Sequence, residues 1–123
     1  FSGKFAMSET KRDHTLFVDD ILAAISKIEK YTKKTTFDEF SRNEMAVDAV
    51  IRNFEVIGEA ANKIPREIKA GNPYVEWKEM IGFRNILIHD YFGVDIESLW
   101  DTIRKNIPQL KKNIIKLKKS ISK

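Results

Sequence analysis

The sequence predicts an all-α protein, an up-and-down bundle of four to five helices. Apolar residues recur at spacings of three and four through three long segments, which is the signature of helices with one buried face. The breaks between these segments fall on proline, glycine or polar β-branched clusters. No run reads as a strand, and no internal repeat or low-complexity block interrupts the pattern.

The first helix is expected from about Asp13 to Tyr31. Phe17, Ile21, Ala24 and Ile28 form its stripe, widened by Val18, Leu22 and Ile25, and Asp13 or Thr10 suits its cap. His14 falls in the opening turn and reads as an exposed or locally bonded side chain. The polar run Lys33-Lys34-Thr35-Thr36 marks a break, followed by a short turn over Phe37 to Phe40 with Thr36 or Asp38 near its start. Ser41-Arg42-Asn43-Glu44 fits a capping box with Ser41 at the N-cap and Glu44 at the third helical position.

A second long helix then spans about Arg42 to Ile64, with Val47, Val50, Ile51, Phe54, Ile57, Ala61 and Ile64 on its apolar face. Gly58, Ala60 and Ala61 leave room for a neighbouring helix. A mid-helix glycine costs about 1 kcal/mol against alanine, so Gly58 calls for a packing or functional reason. Asp48 is expected to face water; Glu59 is open between water and a partner arginine.

Pro65 ends this helix. One short turn fits between Pro65 and Asn72, and Asn72-Pro73 marks a turn or helix start. Trp77, Met80, Ile81, Phe83, Leu87 and Ile88 predict a mostly buried helix, broken at Asp90 to Val94, where Gly93 lies. Asp95 suits the cap of the last helix. Its seam of Ile96, Trp100, Ile103, Ile107, Leu110, Ile114, Leu117 and Ile121 is heptad-like, and Pro108 should kink it.

At 123 residues the chain is sized for one domain. Residues 1–6 read as an expression remnant and 7–123 as a single helical domain. The absence of cysteine removes disulfides and thiolate metal sites, and two histidines do not make an imidazole zinc site, so no cofactor is expected. No apolar run reaches the roughly 18 residues of a membrane span and no signal peptide is visible, so the expected location is cytoplasmic. The net charge is +4, yet residues 105–123 carry seven lysines and no acid. Lys111, Lys112 and Lys116 are therefore candidate contacts to a phosphate backbone. A solvated helix face with cations suited to the C-terminal dipole explains the same run.

Chemistry concentrates in Arg84-Asn85-Ile86-Leu87-Ile88-His89-Asp90-Tyr91. Histidine exchanges protons near neutrality, and arginine is permanently charged and forks onto phosphate oxygens. The pair is a minimal kit for breaking a phosphodiester without a metal. Asn85 and His89 share a helix face, whereas Arg84 and His89 stand about 140° apart. The long arginine stem or a second subunit would close that gap. A histidine serving the helix dipole and an arginine in a surface ion pair would explain the same residues structurally.

Arg84, His89 and Tyr91 spell R-x4-H-x-Y, which resembles the signature of the HEPN superfamily and, more narrowly, the HepT-like toxins of toxin–antitoxin pairs. Ile57-Gly58-Glu59-Ala60-Ala61, Ile64-Pro65, Trp77, Ile81-Gly82, Arg84-Asn85, Trp100 and Pro108 follow the same order and spacing, so the likeness covers roughly residues 8–118. The resemblance implies a HEPN-like dimeric bundle with two motifs across a shared cleft, and metal-independent RNase activity on tRNA or mRNA. It also implies a cognate MntA-type nucleotidyltransferase antitoxin that transfers AMP to Tyr91.

On this reading His89 is the general base or acid, Arg84 binds the scissile phosphate, and Asn85 orients His89 or contacts the phosphate. The expected products are a 2′,3′-cyclic phosphate and a 5′-hydroxyl. A rival reading from another class is a non-catalytic HEPN module that presents a substrate or nucleotide to a nucleotidyltransferase. A pure dimerisation scaffold is a third; it predicts that Arg84 and His89 are dispensable.

Overall fold

The computed structural model describes the backbone of residues 2–89 and 95–122, with side chains for residues 14–84 and 95–122. Seven helices follow in these stretches: α1 (Ser2–Thr32), α2 (Phe37–Arg42), α3 (Glu44–Lys63), α4 (Arg66–Gly71), α5 (Trp77–His89), α6 (Ile96–Lys105) and α7 (Ile107–Ile121). Two of them, α2 and α4, are single short turns in the connections. The pair α6–α7 is one kinked rod, so the bundle has four long members, and no strand occurs among the described residues.

The first helix begins earlier than its apolar stripe. It runs from Ser2, so neither Thr10 nor Asp13 opens it, and residues 2–6 continue the helix rather than precede it. The stripe itself packs as expected: Val18, Ile21, Ala24, Ile25 and Ile28 are all buried. His14 is half-buried.

The capping box lies one helix before its expected place. Thr36 caps α2: its hydroxyl accepts from the Glu39 N–H at 3.1 Å, and the Thr36 N–H donates to Glu39 Oε1 at 3.1 Å. Ser41 is instead inside α2, where its hydroxyl donates to the Asp38 carbonyl at 2.9 Å. The N-cap of α3 is Asn43, whose Oδ1 accepts from the Ala46 N–H at 3.1 Å. Both segments carry a capping residue with an acid nearby; the short α2 had to form for the choice between them to be made.

Every member of the expected α3 stripe is buried, from Val47 to Ile64. Pro65 follows the end of α3 and opens α4, whose own end is tied by Asn72, donating from Nδ2 to the Ile68 carbonyl at 2.8 Å. Asp95 caps α6 by accepting from the Glu97 N–H at 3.0 Å. The rod breaks at Asn106, two residues before Pro108, which stands in the first turn of α7 and has no N–H to give the preceding turn.

Helix α1 lies between α3 and α7, and α3 lies between α1 and α5. Two ion pairs fix the antiparallel sense of α1 and α7: Glu29 with Lys111 at 3.1 Å and Asp19 with Lys118 at 2.9 Å. As one number rises, the other falls. At the far side, Phe54 of α3 meets Phe83 of α5 edge-on, with centroids 5.0 Å apart. Phe40 and Phe37 pack on Trp100 at 5.2 and 6.1 Å and fasten α2 to α6. No helix among the described residues is long and apolar enough to cross a membrane.

Candidate active site on helix α5

Helix α5 carries Arg84, Asn85 and His89. Its inward stripe begins with Trp77, Met80 and Ile81, and the next position at that spacing is Arg84. Met80 is buried, while Trp77, Ile81 and Arg84 are half-buried. An arginine thus stands where a core residue belongs by periodicity, half-buried at the crossing of α3 and α5.

Gly58 makes that placement possible. A Cβ built on Gly58 would lie 2.5 Å from the Arg84 Cβ, 2.7 Å from the Arg84 nitrogen and 3.0 Å from the Met80 carbonyl oxygen. Two of these contacts are backbone atoms that no rotamer change can move. The expectation that small residues at 58–61 admit a close neighbour is met, and the neighbour is the first residue of the motif. By contrast, among the described residues a Cβ at Gly82 or Gly71 would meet nothing within 4 Å.

The start of α5 has a second anchor. Trp77 Nε1 donates to the Asn72 carbonyl at 3.1 Å, and the Tyr74 hydroxyl to Asn72 Oδ1 at 3.3 Å. Asn113 of α7 donates to the Tyr74 carbonyl at 3.2 Å, and the Lys116 ammonium stands 4.3 Å from the Tyr74 ring centroid. The sequence marked Asn72 only as a turn residue. Its link to α7 was not legible there, because Asn113 lies 39 positions from Tyr74. Glu76, just before α5, has its carboxyl pushed up chiefly by the charge of Glu79 one turn on, with burial adding to it.

His89 is the last residue of α5, five positions and about 7.5 Å of helix rise beyond Arg84. The side chains of Asn85 and His89, and the whole of Tyr91, lie outside the described residues. Of the acids on α3, Asp48 is exposed as expected and Glu59 is half-buried, while Glu55 pairs with Arg52 at 3.9 Å. No group of three or more potential metal ligands occurs among the described residues.

The three candidate lysines differ in role. Lys111 is engaged with Glu29, Lys116 sits on Tyr74, and Lys112 is exposed on α7. A groove of about 320 Å³ opens between the end of α1 and the kink of α6–α7, lined by Glu29, Thr32, Lys33, Ile103, Arg104, Ile107, Pro108 and Lys111. Its cations are partly committed. Besides the Lys111 pair, Arg104 donates to the carbonyls of Thr32 and Thr35 at 3.4 and 3.3 Å and lies 4.3 Å from the Trp100 ring. Among the described residues, no motif residue lines this groove.

The sequence matches the family described as Ribonuclease HepT-like over residues 21–117. It is 44% identical over 101 residues to the "Probable ribonuclease HepT" of Thermococcus cleftensis, covering 82% of this chain and 92% of that one. It is 43% identical over 102 residues to the "Putative RNase MJ1380" of Methanocaldococcus jannaschii, covering 83% and 94%. No solved structure matches the chain at a significant level. The all-helical bundle, the motif on α5 and these matches agree, and the chain belongs to the HepT-like ribonuclease family of the HEPN superfamily.

Proposed function

We propose that this protein is a metal-independent endoribonuclease acting as the toxin of a toxin–antitoxin pair. The observation that carries the reading is Arg84: a permanent cation held at a helix crossing by Gly58, on the same helix as His89, in a chain of this family. A buried hydrophobe would serve packing better at that position, so the arginine is there for its charge.

In the proposed reaction His89 accepts the proton of a ribose 2′-hydroxyl, and the 2′-oxygen attacks the adjacent phosphorus. The bond to the 5′-oxygen breaks and that oxygen takes a proton, which leaves a 2′,3′-cyclic phosphate and a 5′-hydroxyl. Arg84 holds the phosphate and neutralises charge gathering on its oxygens, and Asn85 orients the imidazole. Because Arg84 and His89 diverge by about 140° around α5, two copies of the chain facing each other across a cleft supply a converging set. Silencing follows when a nucleotidyltransferase partner directs the Tyr91 hydroxyl onto the α-phosphorus of ATP with loss of pyrophosphate. The AMP placed there adds bulk and negative charge two residues from His89.

The test is cleavage of end-labelled RNA by wild type, Arg84→Ala and His89→Ala, with and without EDTA, and with the product ends mapped. Cleavage that survives EDTA and disappears in both variants is expected; equal cleavage by the variants would sink the mechanism. Sedimentation reports the dimer. Mass spectrometry after co-expression with the partner reports AMP on wild type and none on Tyr91→Phe.

A further inference from the structure

We propose that the outward face of α6 and α7 binds the phosphate backbone of the RNA substrate through a row of three lysines, Lys105, Lys112 and Lys119. This rests on the reading that the protein acts on RNA. The structure sorts the lysines of this segment by direction. Lys111 and Lys118 lie on the flank facing α1 and pair with Glu29 and Asp19. Lys116 lies on the other flank, against Tyr74.

Lys105, Lys112 and Lys119 recur every seven residues and are all exposed. At 100° per residue, Lys112 and Lys119 stand about 160 to 180° from the buried seam of Leu110, Ile114 and Leu117, and Lys105 continues the row across the kink. Neighbours in the row are about 10.5 Å apart along the axis, and the three span about 21 Å. No ion pair or hydrogen bond engages any of them among the described residues. Asp101, one turn before Lys105, is the only acid in residues 101–123.

This spacing selects the ligand. A small anion needs donors that converge on one point, and these ammonium groups do not. A polymer with a repeating charge meets them one after another. A protein partner needs aromatic or arginine anchors, which the row lacks. A line of separated lysines suits phosphates read without regard to sequence. Lys116, against Tyr74 three residues before α5, lies between Lys112 and Lys119 along α7, so the row passes the start of the helix that carries Arg84.

The experiment measures binding of a fluorescein-labelled single-stranded RNA of about 30 nucleotides to the His89→Ala protein over a range of salt concentrations. Each phosphate contact to a single strand contributes about 0.7 to the slope of log K against log salt. Substituting Lys105, Lys112 and Lys119 together by Gln should make the slope shallower by about 2 and weaken binding about tenfold or more at low salt. The Lys111→Gln/Lys118→Gln protein should change the slope far less and melt at a lower temperature, since those groups join α7 to α1. Single-stranded DNA should show the same loss, because phosphates are the contacts. A slope unchanged in the triple variant overturns the proposal, as does absence of RNA binding by the parent, or a triple variant that loses only an acidic protein partner. Wild type that binds with the expected slope change but cuts nothing would uphold the surface and count against the nuclease reading alone.

Discussion

Gly58 and Arg84 touch backbone to backbone at the crossing of α3 and α5, closely enough that one added methyl would overlap Arg84 Cβ and nitrogen at 2.5 and 2.7 Å. The contact sets the height of α5 over the core and, with it, the point from which the guanidinium extends. Packing and chemistry meet in one residue pair.

That contact reverses an ordinary sign. Glycine to alanine inside a helix normally stabilises by about 1 kcal/mol. Gly82→Ala, where the new Cβ meets nothing among the described residues, should follow the rule with a gain of about 0.5–1 kcal/mol in urea unfolding. Gly58→Ala should instead lose about 1–3 kcal/mol by overpacking. If the chain still folds, cleavage should fall about a hundredfold, as a misplacement of about 1 Å costs. A stabilised Gly58→Ala protein with full activity would show that the crossing is not tight.

Arg84→Lys keeps the charge and loses the fork. We expect kcat to fall about 10- to 100-fold, less than the roughly 10²–10³-fold expected for Arg84→Ala, with circular dichroism unchanged in both. Equal activity of the lysine variant and wild type would make the role one of charge alone.

Arg104 ties the end of α1 to α6 through two carbonyls while lying over Trp100. Arg104→Ala should lower stability by about 1 kcal/mol, read from urea midpoints. These contacts are to Thr32, Thr35 and Trp100 and not to α5, so RNA cleavage by the folded variant should not change.

Acid should unfasten two caps. The carboxyl of Glu39 is held below its usual value chiefly by the Thr36 N–H, and that of Asp95 chiefly by the Ser98 hydroxyl. Both folded-state values are depressed, so their contribution is present above the ordinary values of 4.5 and 3.8 and is lost as pH falls through the lower folded ones. The Glu39→Gln/Asp95→Asn protein should be less stable than wild type at neutral pH. The gap in urea midpoint should close as pH falls from about 5 to about 3. A gap independent of pH would mean that the caps work without their charge.

Removing the Phe54 ring takes away both core volume and the edge contact to Phe83. Phe54→Ala should cost about 3–5 kcal/mol, measured by urea unfolding.

Much of this fold was written in local pattern. The stripes of α1, α3 and α7 are legible because burial on one helix face imposes a period on the residues of that helix alone, and Val47, Ile57 and Leu117 are buried as their spacing requires. Pro65, Asp95 and Pro108 likewise act on their own neighbours. The capping box was misplaced by one helix because Thr36 and Ser41 offer similar local chemistry, and the formation of α2 chose between them. The sequence also determined the motif: Arg84, Asn85, His89 and Tyr91 are identifiable by residue type and spacing. Which residue lies against Gly58, which lysines α1 engages, and that Asn113 reaches Tyr74 were decided only by the tertiary structure. Such pairs join positions 26 to 99 residues apart, and no periodicity within one helix records the helix it will pack against.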